Sequence, residues 1–262
     1  MKKALIISGA VLGFLLAAAL VIFVFFPGLP TYLKVKHKYH HIDETVAEFE
    51  KTDVPSDYVS HTLKGVKFSI PSDWEGKSAI EGAEASSYVS GEESKIFVLD
   101  NDYKTYDELQ NEYKDMLGDE YSDDDIYDPW EAFKYKEADY RHLYKEIGVD
   151  LPQYGLAYTM VFYTRNCITA KECLKLRGKD KDVFLALAED KEEAVGMEKM
   201  LKVKNSEYTA YVVQVLYGGY SGNTWDVNIF PNSNKNEVYT VTLKCSDETT
   251  AKQIISSIEL EQ

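Results

Sequence analysis

The sequence predicts an α+β fold: an antiparallel sheet flanked by helices, preceded by one N-terminal transmembrane helix. Residues 4–26 are uncharged and mostly Leu, Ile, Val, Phe and Ala. Farther along, short runs alternate apolar and polar residues at period two, as half-buried strands do, and stripes at helical spacing separate several of these runs. Strand runs interrupted by helices, with the last strands joined by short turns, favour an antiparallel sheet with helices packed on it.

The elements follow in order. After a leader at residues 1–3, residues 4–26 at 1.5 Å per residue are long enough to cross a hydrocarbon core of about 30 Å. The apolar run continues past the small residues Ala17 and Ala19, which favours an uncleaved anchor over a cleaved signal peptide. Lys2 and Lys3 nearly balance Lys34, Lys36 and Lys38 across the span, and the short leader favours an external C-terminal domain. Residues 27–60 read as a juxtamembrane stalk. "PGLPTY" breaks the helix, and Tyr32, Val35, Tyr39, Ile42, Val46 and Phe49 then form one helical seam, expected to pack on the protein's own domain. From Gly65 the period changes to two: Val66, Phe68 and Ile70 alternate with Lys67 and Ser69 until Pro71. A hairpin-like region near residues 85–102 contains "KIFVL". Thr105 and Glu108 form a capping box for a helix ending at Gly118. A further helix is expected over residues 129–146, a strand at "LAYTMVFYT", and mixed helical structure over residues 169–201. Strands at 208–217, 225–230 and 237–245 lead to a last helix capped by Asp247 and striped by Ala251, Ile254, Ile255 and Ile258.

Two stretches carry a resemblance. "VKFSIPSDWEG" and "EVYTVTLKCSDETTAKQIISSIEL" resemble the opening and closing elements of the PsbP/Mog-type superfamily, whose modules have an antiparallel sheet flanked by helices. The resemblance implies a domain over residues 61–262, with residues 118–204 as an insertion, and an accessory or binding role rather than catalysis.

Charge excludes one class of partner. The chain carries net −15, and removing the five lysines before Ile42 leaves 24 basic against 44 acidic residues, or −20. Such a surface repels a phosphate backbone, so nucleic acid is not an expected partner. The expected partners are the bilayer, through residues 4–26, and an unidentified protein, peptide or glycan.

No residues are singled out as catalytic or cofactor-binding. "GGYSGN" lacks the last glycine and the strand-to-helix setting of a nucleophile elbow, so Ser221 is not read as a nucleophile. Asp119, Asp123 and Asp125 in "GDEYSDDDIYD" are calcium candidates only in residue type, because the spacing lacks the EF-hand glycine and distal glutamate; a solvated acidic loop is favoured. His37 and His41 stand four apart but sit among lysines, so a basic collar against headgroups is preferred to a metal pair. Tyr217, Tyr220 and Trp225 flank a glycine-rich loop and are candidates for a stacking surface. Cys167 and Cys173 in "CITAKEC" are candidates for a disulfide in an external domain, while Cys245 shares a strand face with Val241 and Leu243 and is read as core. The expected function is a single-pass cell-membrane protein with an extracellular binding or accessory domain. The alternatives are a cell-envelope hydrolase with a non-local site, or a tethered domain facing the cytoplasm.

Overall fold

The computed structural model describes residues 20–22, 24–78, 83–91, 94–102, 106–118, 130, 133–149, 151, 156–194, 198–215, 223–233 and 237–261. The expected leader and most of the expected span therefore lie outside the described residues. No described helix is long and apolar enough to cross a membrane. The fold is α+β, and the chain divides into two compact units.

One unit comprises the described residues of Val46–Tyr127, Pro152–Thr159 and Ala194–Gln262. It holds an eight-stranded sheet in the order β1-β7-β8-β9-β10-β6-β5-β4. The strands are β1 (Ala47–Glu48), β4 (Glu75–Lys77), β5 (Ser87–Ser90), β6 (Ser94–Asp102), β7 (Glu198–Lys204), β8 (Tyr208–Val215), β9 (Thr224–Pro231) and β10 (Glu237–Lys244). All neighbours are antiparallel except β1 and β7, which makes the sheet mixed rather than purely antiparallel. A second, three-stranded antiparallel sheet has the order β11-β3-β2, from β2 (Val59–Leu63), β3 (Val66–Ile70) and β11 (Glu259–Leu260). Positive φ at Lys64 (49°) and Gly65 (78°) permits the two-residue hairpin between β2 and β3.

Period two then builds the core. Val66, Phe68 and Ile70 of β3 are fully buried and share one apolar cluster with Ile96, Val98, Ala210, Val212, Val227, Ile229, Val241 and Leu243. Trp74 and Cys245 join it, as does the stripe Ala251, Ile254, Ile255 and Ile258 of the C-terminal helix. The helices in chain order are α1 (Leu29–Lys38), α2 (Tyr106–Leu117), α3 (Glu137–Glu146), α4 (Leu156–Thr164), α5 (Asp180–Ala194) and α6 (Glu248–Ser256). Asp247 caps α6 through its carboxylate, which accepts from the Thr250 amide at 2.8 Å.

The other unit comprises the described residues of Met1–Thr45, Asp128–Leu151 and Met160–Glu193. Its core gathers Val35, Tyr39 and Ile42 with Tyr140, Leu143 and Tyr144 of α3 and Val183, Phe184, Leu187 and Ala188 of α5.

Three sequence expectations change. The seam predicted as one helix through Phe49 divides: α1 stops at Lys38, Tyr39 and Ile42 follow it into the helical unit's core, and Ala47–Glu48 becomes an edge strand. "LAYTMVFYT" is the helix α4, with the Thr164 hydroxyl donating to the Met160 carbonyl four residues back. A continuous apolar run has no alternation to separate a buried strand from a buried helix. The helical reading through Leu201 ends at Ala194, and Leu201 and Val203 alternate with Lys202 and Lys204 along β7.

Candidate functional site

The helical unit begins with an apolar segment that its own core leaves uncovered. Leu20, Val21, Ile22, Val24, Phe25 and Phe26 are all exposed, Leu20 and Phe25 each at 66%. Residues 20–22 and 24–25 are helical, and the Phe26 amide donates to the Ile22 carbonyl at 2.7 Å. Pro27 and Gly28 then turn the chain into α1, whose first turn tolerates Pro30 because a proline there lacks only an amide that has no helical partner.

Gly28 fixes this turn against the unit. Its amide donates to the Leu174 carbonyl at 2.9 Å, and a Cβ at this position would stand 1.7 Å from the Cys173 carbonyl oxygen. Only glycine permits that approach. One step along, the Arg177 guanidinium donates to the Val24 carbonyl at 3.4 Å. The 3-10 turn Ala170–Lys175 therefore lies directly against the exit of the apolar segment, opened by a capping box in which Glu172 accepts from the Thr169 amide at 2.8 Å and hydroxyl at 2.6 Å.

A buried lysine closes the other end of the unit's N-terminal segment. Val183, Phe184, Leu187 and Ala188 set the buried stripe of α5, and Lys191 continues it one turn on, only 4% exposed. Its ammonium donates to three main-chain carbonyls: Ile42 at 2.9 Å, Glu44 at 2.5 Å and Ile168 at 2.7 Å. Burial holds its pKa below the ordinary lysine range, with Asp43 and Glu44 opposing that shift. All three N–H donors are used, so Lys191 is a cross-link and offers no lone pair for nucleophilic chemistry.

The lysines that the sequence puts in a headgroup collar are engaged inside the unit. Lys36 pairs with Asp43, whose carboxylate also accepts from the Ala170 amide at 2.9 Å. Lys38 reaches Glu189 and the Tyr39 hydroxyl, each at 2.9 Å. His37 and His41 do not share a helical face, because α1 ends between them; the His41 imidazole meets Glu44 at 2.7 Å. Among the described residues no cluster of His, Cys, Asp and Glu is placed to hold a metal ion.

The remaining sequence candidates are placed as follows. Asp119, Asp123, Asp125, Tyr217, Tyr220 and Ser221 lie outside the described residues. Trp225 corrects the expected stacking surface: it is 1% exposed and belongs to the core face of β9 with Val227 and Ile229. Cys167 and Cys173 are thiols and form no disulfide. Cys173 instead donates to the Ala170 carbonyl at 3.0 Å, and burial pushes its thiol up to about 12.

No protein-family model matches the chain, and no curated protein matches it. The site therefore rests on its own geometry. Lys191 was not singled out from the sequence; its only local signal is its place one turn beyond Leu187 and Ala188 on the apolar stripe of α5. The approach of Gly28 to Cys173 has no local signal, since it joins residues far apart in the chain.

Proposed function

We propose that this chain is a bacterial single-pass membrane protein whose acidic extracytoplasmic part serves as a binding or accessory module of PsbP/Mog type. The observation that supports the anchor is the exposed apolar residues 20–22 and 24–26, which follow the uncharged run at residues 4–19 in the sequence and join the helical unit through the Gly28 turn. Apolar surface left open along one short segment is what a bilayer covers. A binding role is preferred to catalysis because, among the described residues, two buried groups of nucleophilic type are committed to structure: the Cys173 thiol is protonated, and the Lys191 ammonium is saturated. The family reading rests on the strand-Pro-Trp opening and the strand-helix close.

The test is carbonate extraction of membranes from cells expressing the full chain, followed by protease added to intact cells. The chain is expected to stay with the membrane and its domain to be digested. Release by carbonate refutes the anchor, and a protected domain refutes the external placement.

A further inference from the structure

We propose that the helical unit carries a second membrane contact, a basic edge formed by Arg177 and Lys175 with Lys171 and Lys34 behind them, and that its occupant is an anionic lipid headgroup layer. The inference rests on the anchor reading above and adds residues and a lipid class to it.

Position comes first. The Leu174 carbonyl accepts from the Gly28 amide and Arg177 reaches Val24, so Lys175 and Arg177 stand at the level where the apolar segment ends. At 2.0 Å per residue of 3-10 turn, Lys171 lies about 6 Å from Leu174 along that turn. At 1.5 Å per residue, Lys34 lies about 9 Å along α1 from Gly28. The first distance falls within the Debye length of about 8 Å at physiological salt and the second just beyond it.

Charge comes second. The chain as a whole is strongly acidic, but Glu172 is held in its own helix cap, Asp43 by Lys36 and the Ala170 amide, Asp180 by His142, and Glu189, whose charge acts on Lys34, by Lys38. Lys34, Lys171 and Lys175 are exposed, and among the described residues none of them forms an ion pair with a carboxylate. The apolar segment would hold these cations against the bilayer surface. Each lysine or arginine held near an anionic surface is worth about five-fold in binding.

The full chain is reconstituted in nanodiscs of phosphatidylcholine alone or with three parts in ten phosphatidylglycerol. It is labelled with a membrane-impermeant amine reagent and read by mass spectrometry, with a free lysine peptide reporting reagent loss. Labelling of Lys175 is expected to slow about five-fold in the anionic discs, Lys171 and Lys34 less, and 0.5 M salt should reverse the effect. Equal labelling in the two lipids, or protection in both, overturns the proposal while leaving the anchor intact. Failure of the chain to enter discs overturns the anchor and this inference together.

Discussion

Replacing Gly28 by Ala tests whether the apolar segment is fixed to the helical unit. The added Cβ would sit 1.7 Å from the Cys173 carbonyl oxygen, where a carbon–oxygen contact ordinarily needs about 3.3 Å or more. The two backbones must part by about 1.6 Å, which takes the 2.9 Å bond from the Gly28 amide to the Leu174 carbonyl beyond hydrogen-bonding distance. Overpacking costs about 1–3 kcal/mol and the lost bond about 1 kcal/mol, so a loss of about 2–4 kcal/mol is expected. The φ of Gly28 is −88°, which alanine adopts freely, so the penalty is steric alone. Gly148→Ala is the useful contrast: nothing lies within 4 Å of its would-be Cβ, but its φ of +80° costs alanine about 1–2 kcal/mol. Urea unfolding of the full chain in detergent, with proteolysis mapped near residue 28, measures both variants. G28A within 0.5 kcal/mol of the parent, with no new cleavage near residue 28, would refute the close packing.

Lys191→Met is expected to destabilise the helical unit by about 3–5 kcal/mol, because it leaves the Ile42, Glu44 and Ile168 carbonyls without their shared donor. A variant as stable as the parent in the same unfolding assay would show that water replaces the ammonium at no cost. In the sheet unit, Asp226 accepts from the Thr242 hydroxyl at 2.8 Å, and burial raises its pKa above the ordinary carboxylate value of 3.8. Between the unfolded and folded values the native state binds the extra proton, so this group's contribution falls as pH rises through that window. Asp226→Asn is therefore expected to raise stability at pH 7 and to change little at pH 3; destabilisation at pH 7 in paired thermal melts counts against it.

Much of the sheet unit was legible because its signals are local. Val66, Phe68 and Ile70, the alternation of β8 and β10, and Asp247 ahead of its apolar stripe each state a period or a cap within ten residues. β2 was missed because its turn, Lys64-Gly65, is not the usual Asn-Gly type, and only the positive φ at both residues reveals it. α4 was misread because both of its faces are apolar. The seam from Tyr32 to Phe49 kept helical spacing across two units, since periodicity reports that side chains are buried but not against what. The stop after Lys38 has no glycine or proline to announce it. It is instead held by tertiary bonds, with Glu192 accepting from the His40 and His41 amides at 3.2 and 3.0 Å. The candidate site was least legible, because Gly28, Arg177 and Lys191 acquire their roles only from residues at least 23 positions away.

The short interval between Phe26 and α1 fixes how the apolar segment joins the helical unit. A flexible tether would let the helical unit sample many tilts above a bilayer, and no particular basic residue would then be favoured at the surface. Here Pro27 and Gly28 are the whole interval. Gly28 is pressed against Cys173, Val24 is held by Arg177, and the Tyr32 amide already bonds back to the Gly28 carbonyl at 2.9 Å. At the far end, Lys191 ties residues 42 and 44 to Ile168. The segment from the apolar exit to Glu44 is thus fastened at both ends to the residue 168–177 stretch. If a bilayer covers the exposed residues 20–22 and 24–26, as proposed, it also meets Lys175 and Arg177 at its edge, and the segment would then orient the helical unit as well as retain it.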